Sequence, residues 1–138
     1  MVHQEQFEVA TGGHRDIQDL TPKVTGIVRR SGITKGIGQV FVVGSTGAIG
    51  FMEFEPGLRK DLPELLDRLA PPGHEYAHEE TWHDGNGHSH LQATTLGQYA
   101  AFPVAEGAPL LGSWQQVFLL ECDIRPRTRT IVVTVIGD

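Results

Sequence analysis

Two strongly apolar segments near the carboxyl end constrain the fold of this chain more than any other feature. Residues 114–120 and 128–136 are rich in β-branched and aromatic side chains, which is typical of buried strands. Residues 122–126 connect them, and this connection is too short for the helical crossover that parallel neighbours need. The spacing therefore predicts that these two strands pair antiparallel, and it argues against a doubly wound fold.

Strand patterns outnumber helical patterns in the rest of the chain as well. Alternating or continuous apolar residues predict four further strands, over 5–10, 38–43, 48–54 and 98–104. Apolar stripes at helical spacing predict a helix over 22–31, with Thr21 as its N-cap and Gly32 as its stop, and a second helix over 57–69. A short helix over 90–96, closed by Gly97, is also expected. The expected fold class is α+β, with a mixed, mostly antiparallel sheet or sandwich and two to three short helices.

Size and composition limit the class of protein. The 138 residues fit one domain, 1–138, and 39% apolar with 20% charged residues is a globular composition. No stretch approaches the ~20 apolar residues of a membrane-spanning helix. The first residues lack the features of a secretory signal, so we expect a cytoplasmic protein. The single cysteine, Cys122, excludes an intrachain disulfide framework and is interpreted as structural.

Charge is distributed unevenly along the chain. Seventeen acidic and eleven basic residues give a net charge of −6, which argues against a nucleic-acid partner. Residues 69–124 contain no Lys or Arg, but they contain seven acidic residues, and five of the seven histidines fall within 74–90. Three arginines follow within 125–129. This pattern indicates local chemistry, with a chance cluster as the alternative.

The histidine-rich segment 73–90 shows no clean period and is predicted to be a long ordered loop. Neutral imidazole is a preferred ligand of zinc and similar ions, and a catalytic site keeps one position open. His88 and His90 would lie on one side of an extended segment, and a third ligand would come from His78 or His83. The alternative is a solvated, Gly-rich loop with scattered histidines.

The sequence Gly-Ser-Thr-Gly at 44–47 interrupts two predicted strands. Small residues let backbone N–H groups approach an anion, and the hydroxyls of Ser45 and Thr46 can add hydrogen bonds. The segment lacks the Gly-Lys-Ser/Thr ending of a Walker loop. An anion-binding turn and an ordinary bend in a sheet are both compatible with it.

A second segment with anion-binding chemistry begins the last predicted strand. Arg127 and Arg129 would share one strand face, and arginine pairs bidentately with phosphate or carboxylate groups. A solvated face, or a salt bridge with Glu121 or Asp123, is the alternative interpretation.

Two carboxylates lie near the ends of their predicted elements. Glu53 stands among the apolar residues Met52 and Phe54, so a buried catalytic acid is one interpretation, and a place on the polar face is the other. Asp61 lies on the second predicted helix. Both are candidate catalytic residues.

Several short motifs occur together between about residue 5 and the end of the chain. They are Tyr-x-His at 76–78, Asn-x-His-x-His at 86–90, Gly-Ser-Trp-Gln at 112–115 and Arg-x-Arg at 127–129, with Glu53, Asp61 and the segment 91–103 in register. In this combination the chain resembles the YjbQ-like family of small bacterial and archaeal proteins, also called secondary thiamine-phosphate synthases.

The resemblance implies an α+β fold with a large mixed sheet, and a homotrimer with sites near subunit boundaries. It also implies a pocket built on histidines, with metal ligands drawn here from His78, His88 and His90. Many members carry His-Thr-Thr or His-Thr-Ser where this chain has Gly44-Ser45-Thr46, so the first histidine of that triplet is absent.

The reaction attributed to the family joins a pyrimidine diphosphate to a thiazole phosphate with loss of pyrophosphate. The resemblance implies a divalent metal, Mg²⁺ or Zn²⁺, and a small phosphorylated partner rather than nucleic acid or a membrane. It implies phosphate contacts from Ser45, Thr46, Arg127 and Arg129, and acid/base or metal-binding roles for Glu53, Asp61, His78 and His90. Two other functions remain open, namely a metal-dependent hydrolase and a trimeric binding or scaffold protein without catalysis.

Overall fold

The computed structural model describes all residues, 1–138. Its helices are α1 (Thr21–Ser31), α2 (Pro56–Leu69), α3 (His78–Trp82) and α4 (Gly87–Leu96). Its strands are β1 (Val2–Ala10), β2 (Ile17–Asp19), β3 (Lys35–Val43), β4 (Gly47–Met52), β5 (Tyr99–Ala105), β6 (Ala108–Pro109), β7 (Gln116–Glu121) and β8 (Thr128–Gly137). None of the helices is long and apolar enough to cross a membrane.

The strands form two sheets. The larger sheet has the order β1-β8-β3-β5-β6, the smaller has the order β2-β7-β4, and every pairing is antiparallel. The predicted α+β class with a mostly antiparallel sheet or sandwich is therefore confirmed. The strands form two sheets, whereas the resemblance implied one large mixed sheet, and there are four helices rather than two to three.

The predicted pairing of the last two strands with each other is wrong. β7 lies between β2 and β4, whereas β8 lies between β1 and β3 in the other sheet. The short connection crosses from one sheet to the other instead of forming a hairpin. The physical reason is that β7 is buried on both of its faces, so it needs cover on two sides.

The alternation of side chains along β7 divides the interior into two cores. Val117 and Leu119 face the main core, which lies between the two sheets and α1. Phe118 and Leu120 face a smaller core that includes Leu66 of α2. The central strand of the smaller sheet thus holds both cores together.

The segment 73–90 is not one long loop, which corrects the sequence interpretation. It contains α3, and α4 begins at Gly87, one turn earlier than the predicted helix over 90–96. The buried residues of α4 include Gly87, His88, Ser89 and Gln92, so polar side chains occupy the face that packs inward. A helix with this composition has no apolar stripe, and periodicity does not reveal its first turn.

Candidate functional site

A small polar pocket lies where the β3–β4 turn, α3, the start of α4 and the segment before β8 meet. Its volume is about 300 Å³. We call it the histidine-pair pocket, and its lining residues are Ser45, Thr46, His78, Trp82, Asp84, Asn86, His90, Asp123 and Arg127. The structure thereby brings together four predicted site groups, namely the Gly-Ser-Thr turn, His78, His90 and Arg127.

Two imidazole rings form one wall of the pocket. The ring centroids of His78 and His90 are 4.5 Å apart, with the planes inclined by 55°. The buried amide of Asn86 accepts a hydrogen bond from Nε2 of His78 at 3.0 Å. Burial, and then the neighbouring His78, lower the pKa of His90. The imidazole of His90 is therefore neutral at neutral pH.

Asp84 lies beside the imidazole pair. Its Oδ1 atom is buried and has no hydrogen-bond partner, and it lies 3.5 Å from Nε2 of His78. A buried carboxylate oxygen without a partner costs free energy, so Asp84 is an acceptor that a cationic group can satisfy.

A buried carboxylate orients the arginine of the pocket. Asp123 Oδ2 accepts hydrogen bonds from Arg127 Nη2 at 2.7 Å and from Thr46 Oγ1 at 3.0 Å, and Oδ1 accepts from the Ile124 N–H at 2.8 Å. Burial raises the pKa of Asp123, but these hydrogen bonds outweigh it and the net shift is downward. Asp123 is thus a stable anion that aims the half-exposed guanidinium of Arg127 at the pocket.

Arg129 does not line the pocket, although the sequence made it a candidate for phosphate binding. Its side chain is buried and donates to both carboxylate oxygens of Glu121 at 2.7 Å, and to Thr46 Oγ1 at 2.7 Å. Both arginines therefore make the salt bridges that were the alternative interpretation, Arg127 with Asp123 and Arg129 with Glu121. Only Arg127 keeps part of its guanidinium exposed to a ligand.

The three histidines predicted as metal ligands do not share one pocket. His88 and His90 are two residues apart on α4, which places them ~200° apart around a helix axis, not on one side of an extended segment. His88 points to the other side of the helix, where its ring lies edge-on to His14 at 5.3 Å. The structure contains no group of three or more His, Cys, Asp or Glu side chains that could hold a metal ion.

The two remaining predicted catalytic residues also lie elsewhere. Glu53 is half-buried just after β4, and Asp61 is exposed on α2. Neither lines the histidine-pair pocket, so a single chain does not bring them to His78 and His90.

Comparison with known proteins decides the family. The model of the family described as "UPF0047 protein YjbQ-like" matches residues 5–138. The chain belongs to the YjbQ/UPF0047 family. A UPF0047 protein from Methanothermobacter thermautotrophicus is 37% identical over 136 residues, which cover 99% of this chain and 93% of that protein. The UPF0047 protein YugU from Bacillus subtilis is 29% identical over 133 residues, which cover 95% of this chain and 97% of that protein.

Solved structures of the YjbQ/UPF0047 type share the fold over its full length. A YbjQ-like protein of unknown function from Sulfolobus solfataricus superimposes with a TM-score of 0.93 at 37% identity, covering 100% of this chain and 99% of that one. A hypothetical protein from Aeropyrum pernix gives 0.89 at 33% identity, with 98% of each chain covered. These comparisons confirm the resemblance on which the sequence analysis relied.

Gly44 stands at the position where the resemblance to YjbQ-like proteins led us to expect a histidine in many members. Gly44 has a φ of +147°, and a Cβ atom built there would lie 2.7 Å from Arg129 Nη1. A side chain at this position requires both a different backbone conformation and a displaced arginine. The position of the buried Arg129 side chain therefore depends on the absence of a side chain at Gly44.

Sequence reasoning missed four lining residues, Trp82, Asp84, Asn86 and Asp123. Asn86 belongs to the Asn-x-His-x-His motif, and Asp123 stands four residues before Arg127, so both carried a signal. Trp82 stands four residues after His78 and shares its side of α3 only because a helix forms there. Asp84 carried no comparable signal.

Proposed function

We propose that this YjbQ/UPF0047 protein is a small-molecule enzyme that binds a phosphorylated substrate in the histidine-pair pocket. The specific reaction proposed is the one that the family resemblance implies, the joining of a pyrimidine diphosphate to a thiazole phosphate with release of pyrophosphate. The observation that carries the proposal is the convergence in one pocket of an imidazole pair, an oriented arginine and a free hydroxyl.

Arg127 and Ser45 are the groups that suit a phosphate. The side chain of Arg127 is 38% exposed, while Asp123 holds its guanidinium in place. The hydroxyl of Ser45 is exposed and makes no hydrogen bond within the protein, whereas that of Thr46 is committed to Asp123 and Arg129. A fixed arginine beside a free hydroxyl can bind phosphate oxygens with little loss of side-chain entropy.

The carboxylates of the pocket favour a phosphate that arrives with a divalent cation over a bare anion. Mg²⁺ is commonly bound by one or two carboxylates together with substrate phosphates, and the unpartnered Oδ1 of Asp84 is a ligand of this kind. A zinc ion held by three histidines does not fit, because His88 faces away from the pocket. The bound cation would neutralise charge on the leaving pyrophosphate.

The imidazole pair supplies hydrogen-bonding groups next to the phosphate-binding groups. His78 carries a proton on Nε2 toward Asn86, and His90 is held neutral by its burial. Negative charge develops on a departing pyrophosphate, and preorganised donors are most effective where such charge develops. In this proposal the thiazole nitrogen, which carries no proton, forms the new C–N bond with its lone pair as the C–O bond to pyrophosphate breaks. Arg127 stabilises the departing pyrophosphate, and the neutral His90 holds the reacting partner by hydrogen bonding.

The proposal includes assembly into a homotrimer. The outer face of the larger sheet exposes large apolar side chains on three strands, with Ile37 at 62%, Tyr99 at 58% and Ile136 at 56% exposure. An apolar patch of this kind marks an interaction surface. The same observation favours a trimeric binding or scaffold protein as the second candidate function. A metal-dependent hydrolase has less support, because no three-ligand metal cluster is present.

The test is an assay of thiamine phosphate formation with purified protein, Mg²⁺ and both half-substrates. We expect turnover in the wild type and at least a hundredfold loss in His90→Asn and Arg127→Gln, since each removes a group from the pocket. The matched controls are His3→Asn on β1 and Arg125→Gln, whose side chains do not line the pocket. Absence of turnover in a folded trimer would favour the scaffold function. Equal losses of turnover in the control variants would show that the histidine-pair pocket is not the site of the reaction.

A further inference from the structure

The opposite side of α3 faces a second and larger cavity of about 680 Å³, which we call the acidic cavity. Glu75, Glu79 and Glu80 line it together with Tyr76, and no Lys or Arg side chain does. This volume is in the range that suits a small organic molecule. The cavity is far larger than a metal ion needs, and no cluster of three metal-binding side chains is present in the structure.

The carboxylates of the acidic cavity are available to a ligand. Glu75 and Glu80 make no hydrogen bond or salt bridge, and Glu79 uses only Oε2, which accepts from the Gly85 N–H at 3.0 Å. The ring of Tyr76 is fixed, since its hydroxyl donates to the Pro71 carbonyl at 2.7 Å. Free carboxylates beside a fixed aromatic ring are the groups that recognise an organic ammonium ion.

A buried histidine supplies an independent observation. His88 is only 2% exposed, yet it lines the acidic cavity, and its Nδ1 atom has no hydrogen-bond partner. Its Nε2 lies 3.5 Å from Ser89 Oγ. Burial, and then the neighbouring His14, lower the pKa of His88, so the ring stays neutral and Nδ1 can accept a hydrogen bond. His14 leaves His88 free, because its own ring nitrogens face Asp67 and the Cys122 carbonyl.

We propose that the acidic cavity is a binding site for a small organic cation, a protonated amine on a compact carbon framework. The glutamates attract the cation, the Tyr76 ring packs against its apolar part, and Nδ1 of His88 accepts an N–H from the ammonium group. This site goes beyond the proposed function, because it uses the other side of α3 and none of the residues of the histidine-pair pocket.

The experiment titrates the full-length protein with benzylammonium and with its neutral counterpart benzyl alcohol, followed by amide NMR shifts at low salt. We expect benzylammonium to shift the amides of residues 74–88 and to bind at least tenfold more tightly than the alcohol. The double variant Glu79→Gln, Glu80→Gln is expected to weaken benzylammonium at least tenfold. Glu64→Gln, the same change at an exposed site of α2, is expected to leave it unchanged.

A second readout concerns His88 alone. Benzylammonium is expected to move the Nδ1 resonance of His88 in the wild type, and His88→Asn is expected to weaken binding at least threefold. Three results would each overturn the proposal. They are equal affinity for benzyl alcohol, unchanged benzylammonium affinity in the double variant, and saturation of the cavity by Mg²⁺ or Zn²⁺ instead of benzylammonium. Arg127→Gln is expected to bind benzylammonium with wild-type affinity, because Arg127 does not line the acidic cavity. Failure of the proposed enzyme activity can therefore be distinguished from failure of cation binding.

Discussion

The two cavities on either side of α3 both combine histidines with acidic side chains, but they differ in how those acidic side chains are paired. In the histidine-pair pocket, both carboxylate oxygens of Asp123 accept hydrogen bonds, from Arg127, Thr46 and a backbone N–H. In the acidic cavity, Glu75 and Glu80 have no partner. A paired carboxylate stabilises the fold and orients its neighbours. An unpaired carboxylate is available to a ligand, but it is repelled by the other acidic side chains around it.

The helix explains why one cluster in the sequence becomes two sites. Successive residues of α3 are about 100° apart, so His78 and Trp82 share one side while Glu79 and Glu80 reach the other. The excess of histidines in 74–90 is therefore a poor guide to a single metal centre. It marks a helix that separates two cavities.

The largest expected effect comes from breaking the buried pair behind the histidine-pair pocket. Arg129→Ala leaves Glu121 as an uncompensated buried charge, and such a change costs about 3–5 kcal/mol of unfolding free energy. Urea denaturation measures it. Arg125→Ala, an exposed neighbour, is the control and should stay within about 0.5 kcal/mol of wild type. A cost below that of one ordinary hydrogen bond would mean that Glu121 is protonated in the folded protein.

The next effect is expected at Asp123. Asp123→Asn removes a charged acceptor from several donors and should cost about 2 kcal/mol at pH 7. Its folded-state pKa lies below the ordinary value of 3.8, so its contribution is complete above that value and declines as the pH falls through the folded-state pKa. The difference between wild type and variant should therefore shrink in strong acid, as followed by denaturation at stepped pH. Asp61→Asn, the same kind of change at an exposed position, is the control and should stay within about 0.5 kcal/mol of wild type at pH 7.

A smaller effect compares one glycine from each region. Gly44 and Gly73 both have positive φ, but a Cβ on Gly44 meets Arg129 whereas a Cβ on Gly73 meets nothing within 4 Å. Alanine at Gly73 should cost about 1 kcal/mol for backbone conformation alone, and alanine at Gly44 about 1–3 kcal/mol. Thermal melts of the two variants measure the difference. Equal costs would show that Arg129 moves aside freely, and that a histidine could occupy position 44.

Most elements of the fold could be predicted from the sequence because their signals are local. Gly32, with a φ of +71°, ends α1 where the sequence placed its stop, and the apolar runs of β3, β5 and β8 are strands as predicted. The sheet assignment of β7 could not be predicted in this way. It depends on burial of both faces, and the short connection to β8 suggested a hairpin.

Residues of the site could be predicted only where they belong to a recognisable sequence motif. His78, His90 and Arg127 belong to motifs and do converge, whereas Arg129 belongs to the same motif and is buried instead. Both partner carboxylates, Glu121 and Asp123, are fully buried, so the difference lies in the position of each arginine. Arg129 is at a buried position of β8, whereas Arg127 precedes the strand and keeps part of its side chain exposed. The sequence offered a salt bridge with Glu121 or Asp123 as the alternative for both arginines, but it did not reveal which arginine would remain partly exposed.

The smallest expected effect has the opposite sign and sharpens the comparison most. Glu80→Gln makes the same chemical change as Asp123→Asn, but it removes a free charge that lies among other acidic side chains. Since like charges at neighbouring positions repel, this variant should be more stable than wild type by about 0.2–0.5 kcal/mol at low salt. The gain should vanish in 1 M salt, where the Debye length falls to about 3 Å. Urea denaturation at both ionic strengths measures it. A destabilised Glu80→Gln variant would mean that this carboxylate has a partner within the protein. The acidic cavity would then, like the histidine-pair pocket, contain a paired carboxylate.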